Sequence, residues 1–183
     1  EDLLKLSEAC KYDAYSRDKT VVLDSDLDLT ETGYVPIPTF GGTFDGQGHT
    51  VTLAIESSER YMAMFRYNHG TIKNVKVAGS ITCSTAAAGY NAMLCAWNKS
   101  DGVIDSCINE AVCSLSGASS AALVANNQGI VKNCINRGSV TAVMLSGVIA
   151  YGGKLENCLN VGTLANKAYN MSTGTAAGLV QNC

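Results

Sequence analysis

Hydrophobic and polar positions follow one repeated pattern through the second half of the chain. In four segments a glycine is followed two residues later by an apolar residue, and these glycines stand at positions 70, 102, 129 and 153. The intervals between them are 32, 27 and 24 residues. A period of this size indicates one structural unit that is stacked on copies of itself. The pattern therefore predicts a solenoid of repeated coils.

An apolar pair precedes each of these glycines and is expected to face the interior. The pairs are Met64 with Phe65, Met93 with Leu94, Leu123 with Val124 and Val148 with Ile149, and Leu179 with Val180 begins a fifth repeat. A coil of about 24 residues has room for three strands of about four to five residues. Stacking such coils in register predicts an all-β fold, a parallel β-helix. Its internal ladders are expected to consist of Ile72, Ile104, Val131 and Leu155, and of Leu94, Leu123 and Val148.

Asparagine recurs as regularly as the apolar residues do. One column consists of Asn74, Asn133 and Asn157, and a second consists of Asn109, Asn136 and Asn160. Asparagine tolerates the left-handed backbone conformation that a coil corner needs, and stacked amides can hydrogen-bond to one another along the axis. We interpret both columns as structural ladders; the functional alternative is that they hold a ligand.

The chain has eight cysteines, of which Cys107, Cys134 and Cys158 share one position of the repeat. Equivalent positions of stacked coils are separated by about 4.8 Å, which is wider than the Cβ separation of about 3.8 Å in a relaxed disulfide. We therefore predict a stack of buried thiols, with disulfides as the alternative. A zinc site is a weaker alternative because no Cys-x-x-Cys pair occurs. The other cysteines share no register: Cys10, Cys83, Cys95, Cys113 and Cys183.

The first residues predict a cap and the start of the first coil. Residues 1–11 carry apolar side chains at helical spacing, at Leu3, Leu4, Leu6 and Cys10. A stack of strands needs its exposed first rung covered, so we assign residues 1–19 to an N-terminal cap with a short α-helix and residues 20–183 to the coils. In residues 20–29 leucines alternate with aspartates, which predicts one half-buried strand. A calcium site is the alternative, although the glycine turn and the closing glutamate of a calcium loop are absent.

Residues 45–48 predict a tight turn in which Gly46 and Gly48 supply positive φ angles. His49 follows this turn and lies near Asp45 in sequence. A histidine beside a carboxylate is a candidate proton-transfer pair, but no nucleophile or second carboxylate accompanies it. We interpret His49 as a turn residue that is satisfied by its neighbours.

Composition narrows the class of protein. The chain has 183 residues, 46% of them hydrophobic, which suits one folded domain spanning residues 1–183. Its net charge of −3 provides no basic face for a nucleic acid. No apolar run reaches the ~20 residues of a membrane helix. The chain opens on Glu1 and Asp2 without a signal peptide, and the incomplete repeat at its end suggests that the natural protein continues, so we expect a piece of a longer parent protein.

Two stretches carry a family resemblance. Residues 24–29 read Asp-x-Asp-Leu-Asp-Leu and residues 36–51 read Pro-Ile-Pro-Thr-Phe-Gly-Gly-Thr-Phe-Asp-Gly-Gln-Gly-His-Thr-Val, while residues 122–134 and 178–180 carry the repeat itself. These segments resemble bacterial surface proteins with GLUG-motif repeats. Similar repeats occur in adhesins, in autotransported proteins and in the non-catalytic region of bacterial immunoglobulin A peptidases. The resemblance implies a right-handed parallel β-helix that is secreted or displayed on a bacterial cell surface.

From this resemblance we expect a non-catalytic, adhesin-like module that binds or displays host or extracellular glycans or proteins. The candidate contact residues are Tyr61, Tyr67, Tyr90 and Trp97. We expect no cofactor, no metal and no nucleic acid. One alternative is a polysaccharide lyase or hydrolase, because such enzymes are also parallel β-helices, with Asp26, Asp45 and His49 as its candidates. Another alternative is a structural spacer between other domains.

Overall fold

The computed structural model describes residues 2–12, 14–84, 89–116, 119–142, 145–146, 148–166 and 180–181. Within these residues the chain is nearly all β, and parallel sheets wind it into a solenoid of about five turns with a single short helix at the N-terminus. The predicted fold class is confirmed. Leu179 and Cys183, which belong to two of the sequence predictions, lie outside the described residues.

The helix and strands of the described residues are short. The helix is α1 (Asp2–Ala9). The first twelve strands are β1 (Thr20–Val22), β2 (Leu27–Asp28), β3 (Ile37–Phe40), β4 (Thr43–Asp45), β5 (Thr50–Ser57), β6 (Phe65–Asn68), β7 (Thr71–Lys73), β8 (Lys76–Cys83), β9 (Tyr90–Asn91), β10 (Cys95–Asn98), β11 (Val103–Asp105) and β12 (Ile108–Asn109). The next twelve are β13 (Val112–Leu115), β14 (Ser119–Ala121), β15 (Val124–Asn127), β16 (Ile130–Lys132), β17 (Ile135–Asn136), β18 (Ser139–Ala142), β19 (Leu145–Ser146), β20 (Ile149–Tyr151), β21 (Lys154–Glu156), β22 (Leu159–Asn160), β23 (Thr163–Asn166) and β24 (Val180–Gln181).

Four sheets run along the solenoid, and each takes strands from successive coils. Sheet A has the order β1-β4-β7-β11-β16-β21-β24, sheet C has the order β3-β6-β10-β15-β20, and sheet D has the order β9-β14-β19. Sheet B begins with β2-β5-β8, and β8 then pairs with both β12 and β13. One branch continues as β12-β17-β22 and the other as β13-β18-β23. Neighbouring strands are parallel, as stacked coils require.

The inner face of sheet A shows what holds the coils together. Ile104 pairs in register with Ile72 on one side and with Val131 on the other, and Val131 pairs in turn with Leu155. The first three of these side chains are fully buried, and Leu155 is partly buried against them. Full burial of such a side chain contributes about 2 kcal/mol. The predicted ladder is confirmed, and Leu94, Leu123 and Val148 of the second ladder are also buried.

The number of strands in a coil differs from the predicted three. The coil that begins at β15 contains five strands of two to four residues, from β15 to β19. Asn133 separates β16 from β17 because its φ of 54° turns the chain at that point. Corner residues such as Asn133 therefore divide into two short strands a segment that the hydrophobic pattern predicts as one strand.

The single strand predicted for residues 20–29 is wrong. The structure has β1 in sheet A and β2 in sheet B, so the chain turns a corner between them. Leu23 and Leu29 are buried and Leu27 is half-buried. The aspartates are exposed, as predicted: Asp24, Asp26 and Asp28. The alternation continues across the corner because both strands share the same interior, so it cannot distinguish one straight strand from two.

The helix α1 packs against β3 at the first coil, where the cap is expected. Its Ser7 Oγ donates to the carbonyl oxygen of Val35 at 2.9 Å. Of the predicted apolar face, Leu3 and Cys10 are buried and Leu4 and Leu6 are partly buried.

The turn at residues 45–48 has positive φ angles at Gln47 (49°) and Gly48 (84°) but not at Gly46, so the prediction for Gly46 is wrong. Gly46 is required for space instead. A Cβ atom at this position would lie 2.6 Å from the carbonyl oxygen of Asn74 in the next coil. Close packing of successive coils therefore excludes a side chain there.

Candidate ligand-binding face

The four aromatic residues named from the sequence lie together in the structure, and we call them the aromatic cluster. The ring centroid of Tyr61 lies 6.0 Å from that of Tyr67, 5.7 Å from that of Tyr90 and 6.2 Å from that of Trp97. The Trp97 ring lies 6.2 Å from Tyr67 and 5.4 Å from Tyr90. Each of the four side chains is partly exposed. They form one continuous aromatic surface.

The parallel register of sheet C places two of these rings side by side. Tyr67 in β6 and Trp97 in β10 are register partners, and such neighbours lie about 4.8 Å apart. Tyr90 is the first residue of β9 in sheet D, and Tyr61 lies in the turn before β6 with a φ of 61°. A positive φ is uncommon for a bulky residue, and such backbone strain concentrates at functional sites.

Lys99, which the sequence analysis did not single out, adds a cation to the cluster. Its Nζ lies 3.4 Å from the ring centroid of Trp97 and 5.0 Å from that of Tyr67. An ammonium over an aromatic face is attracted by the negative charge of the ring face. Desolvation lowers the pKa of Lys99, and the nearby charge of Asp101 opposes this shift. The sequence signal that could have revealed this contact is the position of Lys99, two residues after Trp97 at the end of β10.

Four buried side-chain polar atoms of the described residues have no hydrogen-bond partner, and all four belong to this region. They are Nε1 of Trp97, Nε of Arg66, Nδ2 of Asn91 and Oδ1 of Asn126. Arg66 and Asn91 adjoin Tyr67 and Tyr90 in sequence, and Asn126 is the register partner of Trp97. A buried polar group without a partner costs about 1–3 kcal/mol, so a cluster of them requires a physical explanation.

The predicted asparagine columns differ in their chemistry. In the second column the amides bond to one another: Asn109 Nδ2 donates to Asn136 Oδ1 at 2.8 Å, and Asn136 Nδ2 donates to Asn160 Oδ1 at 2.6 Å. The first column instead occupies left-handed corners, with φ angles of 54°, 54° and 49° at Asn74, Asn133 and Asn157.

The amides of that first column contact the preceding coil. Asn74 Nδ2 donates to Asp45 Oδ1 at 3.1 Å, and Asn133 Nδ2 donates to Asp105 Oδ1 at 2.8 Å. Asn157 Nδ2 donates to Asn133 Oδ1 at 3.3 Å. Each of these amides therefore has a partner within the solenoid.

A third asparagine column, which the sequence analysis missed, lies behind the aromatic cluster. Asn68 Nδ2 donates to Asn98 Oδ1 at 2.7 Å, and Asn98 Nδ2 donates to Asn127 Oδ1 at 2.8 Å. All three residues are fully buried. The distance to the next repeat glycine is four residues for Asn98 and two for the other asparagines, so alignment on the glycines concealed the column.

The cysteines of the repeat are buried in one column: Cys107, Cys134 and Cys158. The backbone N–H of Cys107 donates to Cys134 Sγ at 3.4 Å, and that of Cys134 donates to Cys158 Sγ at 3.4 Å. Hydrogen bonding to the neighbouring thiol and burial raise the pKa of Cys158. This thiol is therefore protonated at neutral pH. The other cysteines among the described residues are free and buried: Cys10, Cys83, Cys95 and Cys113.

Two of the three candidate catalytic residues, Asp26 and His49, are in contact. His49 Nδ1 lies 3.2 Å from Asp26 Oδ1, so the carboxylate that His49 contacts is Asp26 and not its sequence neighbour Asp45. The corner between β1 and β2 causes this, because it brings Asp26 beside β5, where the N–H of Thr50 donates to the same oxygen at 2.8 Å. Both hydrogen bonds lower the pKa of Asp26, and the one from the backbone N–H of Thr50 contributes most.

Asp45 belongs to an alternating charged ladder on the outer face of sheet A. Its register neighbours in successive coils are Lys73, Asp105, Lys132 and Glu156. Lys73 Nζ lies 3.1 Å from Asp45 Oδ2, and Lys132 Nζ lies 3.3 Å from Asp105 Oδ2. The charges of this ladder thus face opposite charges in the adjacent coils.

A second histidine–carboxylate pair lies on the solenoid, and the sequence analysis did not find it. His69 Nδ1 lies 3.0 Å from Asp101 Oδ1. Neither this pair nor any other part of the described chain forms a group of three or more His, Cys, Asp or Glu side chains that could hold a metal ion. In the same residues no helix is long and apolar enough to cross a membrane.

Comparisons of the chain with protein-family models, with curated proteins and with solved structures found no match. The resemblance to GLUG-motif proteins therefore remains a prediction from the sequence.

Proposed function

We propose that this solenoid is a non-catalytic binding module of an exported or cell-surface protein, and that the aromatic cluster is its contact surface. The observation that carries the proposal is the convergence of four partly exposed aromatic rings from neighbouring coils, with ring centroids within 6.2 Å of their neighbours. Aromatic side chains provide large contact areas, and tryptophan and tyrosine are enriched among residues that dominate binding energies.

The surroundings of the cluster support the same proposal. The unpartnered polar atoms of Trp97, Arg66, Asn91 and Asn126 concentrate there, whereas the charges of sheet A face partners within the solenoid. A ligand that displaces part of the covering surface would supply the missing partners. The resemblance to GLUG-motif repeats supports a place on a bacterial surface and an adhesin-like role for this module.

The enzyme alternative rests on Asp26 and His49, which are in contact, while Asp45 is engaged by neighbours of the solenoid. The backbone N–H of Gln47 donates to Asp45 Oδ1 at 3.0 Å, and Lys73 forms an ion pair with it. The hydrogen bond from Gln47 is the largest contribution that lowers the pKa of Asp45. A low pKa suits a structural carboxylate and does not suit a general acid at neutral pH.

A combined binding and turnover screen tests the proposal. The domain is applied to immobilised mucin glycans, matrix proteins and uronic-acid polymers, and both retention and released reducing or unsaturated ends are recorded. We expect retention without release, and we expect Trp97→Ala to weaken retention at least tenfold. Tyr12→Ala is the matched control, since Tyr12 is 78% exposed and lies outside the cluster. Product release would favour the enzyme, and the absence of both signals would favour the spacer.

A further inference from the structure

We infer that the aromatic cluster selects a carboxylate-bearing sugar, with Trp97 stacking on the sugar ring and Lys99 pairing with the carboxylate. The inference rests on the proposed binding function and specifies its ligand class. It is carried by three features of the cluster: the position of Lys99, the balance of charges around the rings, and the polar atoms that lack partners.

The balance of charges around the cluster favours an anion. Three cations belong to this part of the chain: Lys99 lies over two of the rings, and Arg66 and the exposed Arg60 adjoin Tyr67 and Tyr61 in sequence. Arg66 Nη2 lies 3.5 Å from Glu59 Oε2. Among the described residues, neither Lys99 nor Arg60 has a carboxylate within salt-bridge distance. This local excess of positive charge contrasts with the net charge of −3 of the whole chain.

No ion pair joins Lys99 to Asp101, the carboxylate two residues away in sequence. The charge of Asp101 acts on Lys99 from a distance, while its Oδ1 lies 3.0 Å from His69 Nδ1. The ammonium of Lys99 instead rests on the indole ring, with Nζ 3.4 Å from the centroid. A carboxylate is a stronger partner for an ammonium than an aromatic face is. An anionic ligand therefore draws Lys99 off the ring.

Movement of Lys99 uncovers the surface that a sugar requires. The flexible four-carbon stem lets the ammonium swing aside while its charge stays near the ring. The freed indole face then packs against the apolar C–H face of a pyranose. The sugar ring thus takes the place of Lys99 on Trp97, and the carboxylate of the sugar becomes the ion-pair partner of Lys99. Tight binding therefore requires the acidic group.

The unpartnered atoms favour a sugar over a simple carboxylate. Trp97 Nε1 and Arg66 Nε are donors and Asn126 Oδ1 is an acceptor, and all three belong to neighbouring strands of sheet C. Hydroxyl groups both donate and accept, so a ring that carries several of them matches this mixed set. An acetate ion offers acceptors alone and leaves Asn126 unsatisfied.

Fluorescence of Trp97 provides the test, because it is the only tryptophan of the chain. The whole domain is titrated with a galacturonic acid trimer and with sialyllactose, and in parallel with their neutral counterparts, a galactose trimer and lactose. We expect a saturable change of emission with at least one acidic sugar. We expect its affinity to exceed that of its neutral counterpart at least tenfold and to fall as salt is added.

Variants separate charge from stacking. Lys99→Met is expected to remove the preference for the acidic sugar over its neutral counterpart, whereas Lys99→Arg is expected to retain that preference. The matched control is Lys132→Met, because Lys132 is equally a half-buried lysine but lies in sheet A. Thermal unfolding of each variant verifies that it is folded.

Each outcome bears on the inference. Equal affinity for acidic and neutral sugars would overturn it and leave the proposed binding function intact. Binding of a glutamate-rich peptide in preference to both acidic sugars would replace the ligand class with an acidic protein. No response to any acidic sugar, with the domain still retained on matrix proteins, would also overturn it; loss of all retention would overturn the proposed function as well.

Discussion

The outer faces of sheets A and C are built on the same parallel register, yet their side chains are satisfied in different ways. On sheet A, charge alternates from coil to coil, and the carboxylates of Asp45 and Asp105 each meet a lysine of the next coil. On sheet C, the rings of Tyr67 and Trp97 lie side by side with a cation above them, and Nε1 of Trp97 has no acceptor.

This difference between the two outer faces distinguishes side chains that hold the coils together from side chains that are candidates for binding a ligand. A column that finds its partners in the next coil can continue along the axis without any other molecule, and both the charged ladder and the amide columns do so. The aromatic cluster is confined to residues 61–97 and leaves polar atoms without partners. In a repeat protein, the departure from the repeat is therefore the better guide to a binding site.

The most severe test addresses the interior on which both faces depend. Ile104→Asp places a carboxylate among fully buried apolar side chains, and we expect it to lower the free energy of unfolding by about 4 kcal/mol or to prevent folding. Urea denaturation measures the change. The matched control is Val103→Asp at the adjacent half-buried position, for which we expect a much smaller loss. Similar losses at both positions would mean that the assignment of inner and outer faces is wrong.

The next test concerns the amide column behind the aromatic cluster. Asn98→Ala removes the acceptor of Asn68 and the donor to Asn127, so two buried amide groups lose a partner. We expect a loss of about 3 kcal/mol in the free energy of unfolding. Asn160→Ala, at the exposed end of the other column, should cost less than about 1 kcal/mol by the same estimate. Equal costs would show that burial does not set the strength of these columns.

Sheet A offers a milder test, because its ion pairs are partly exposed. Lys132→Glu removes the partner of Asp105 and places three acidic residues in neighbouring coils. We expect a loss of about 1 kcal/mol that shrinks in high salt, and a smaller loss for Lys132→Met, which removes the pair without adding repulsion. Chemical denaturation at low and high salt measures both. A loss that salt does not change would show that the ladder acts through packing and not through charge.

Sequence reasoning predicted the contacts that repeat from coil to coil, and it missed the contacts that depend on how the chain turns at a corner. The ladder of Ile104 follows directly from a fixed hydrophobic spacing. The pairing of His49 with Asp26 could not be read in the same way, because it depends on how the chain turns between β1 and β2. The column through Asn98 was concealed by two extra residues before Gly102. The aromatic residues were named by type, but only the register of the coils brings them together and adds Lys99.

The smallest expected effect is the pH dependence of the charged ladder. Hydrogen bonds from Gln47 and Asn74 and the ion pair with Lys73 hold the pKa of Asp45 below its ordinary value. The unfolded chain thus binds the proton more tightly than the folded chain does. The stabilisation is fully present above the unfolded pKa of about 3.9 and is lost as the pH falls through the lower folded value.

Asp45→Asn is a matched variant for this pH dependence, because it retains the shape of the side chain and cannot ionise. We expect the wild-type domain to be the more stable one near neutral pH, and we expect the difference to disappear in strong acid, below the folded pKa of Asp45. Urea unfolding across this range measures it. A difference that stayed constant with pH would show that Asp45 stabilises the turn through hydrogen-bond geometry alone, and sheet A would then owe less to charge than its alternating ladder indicates.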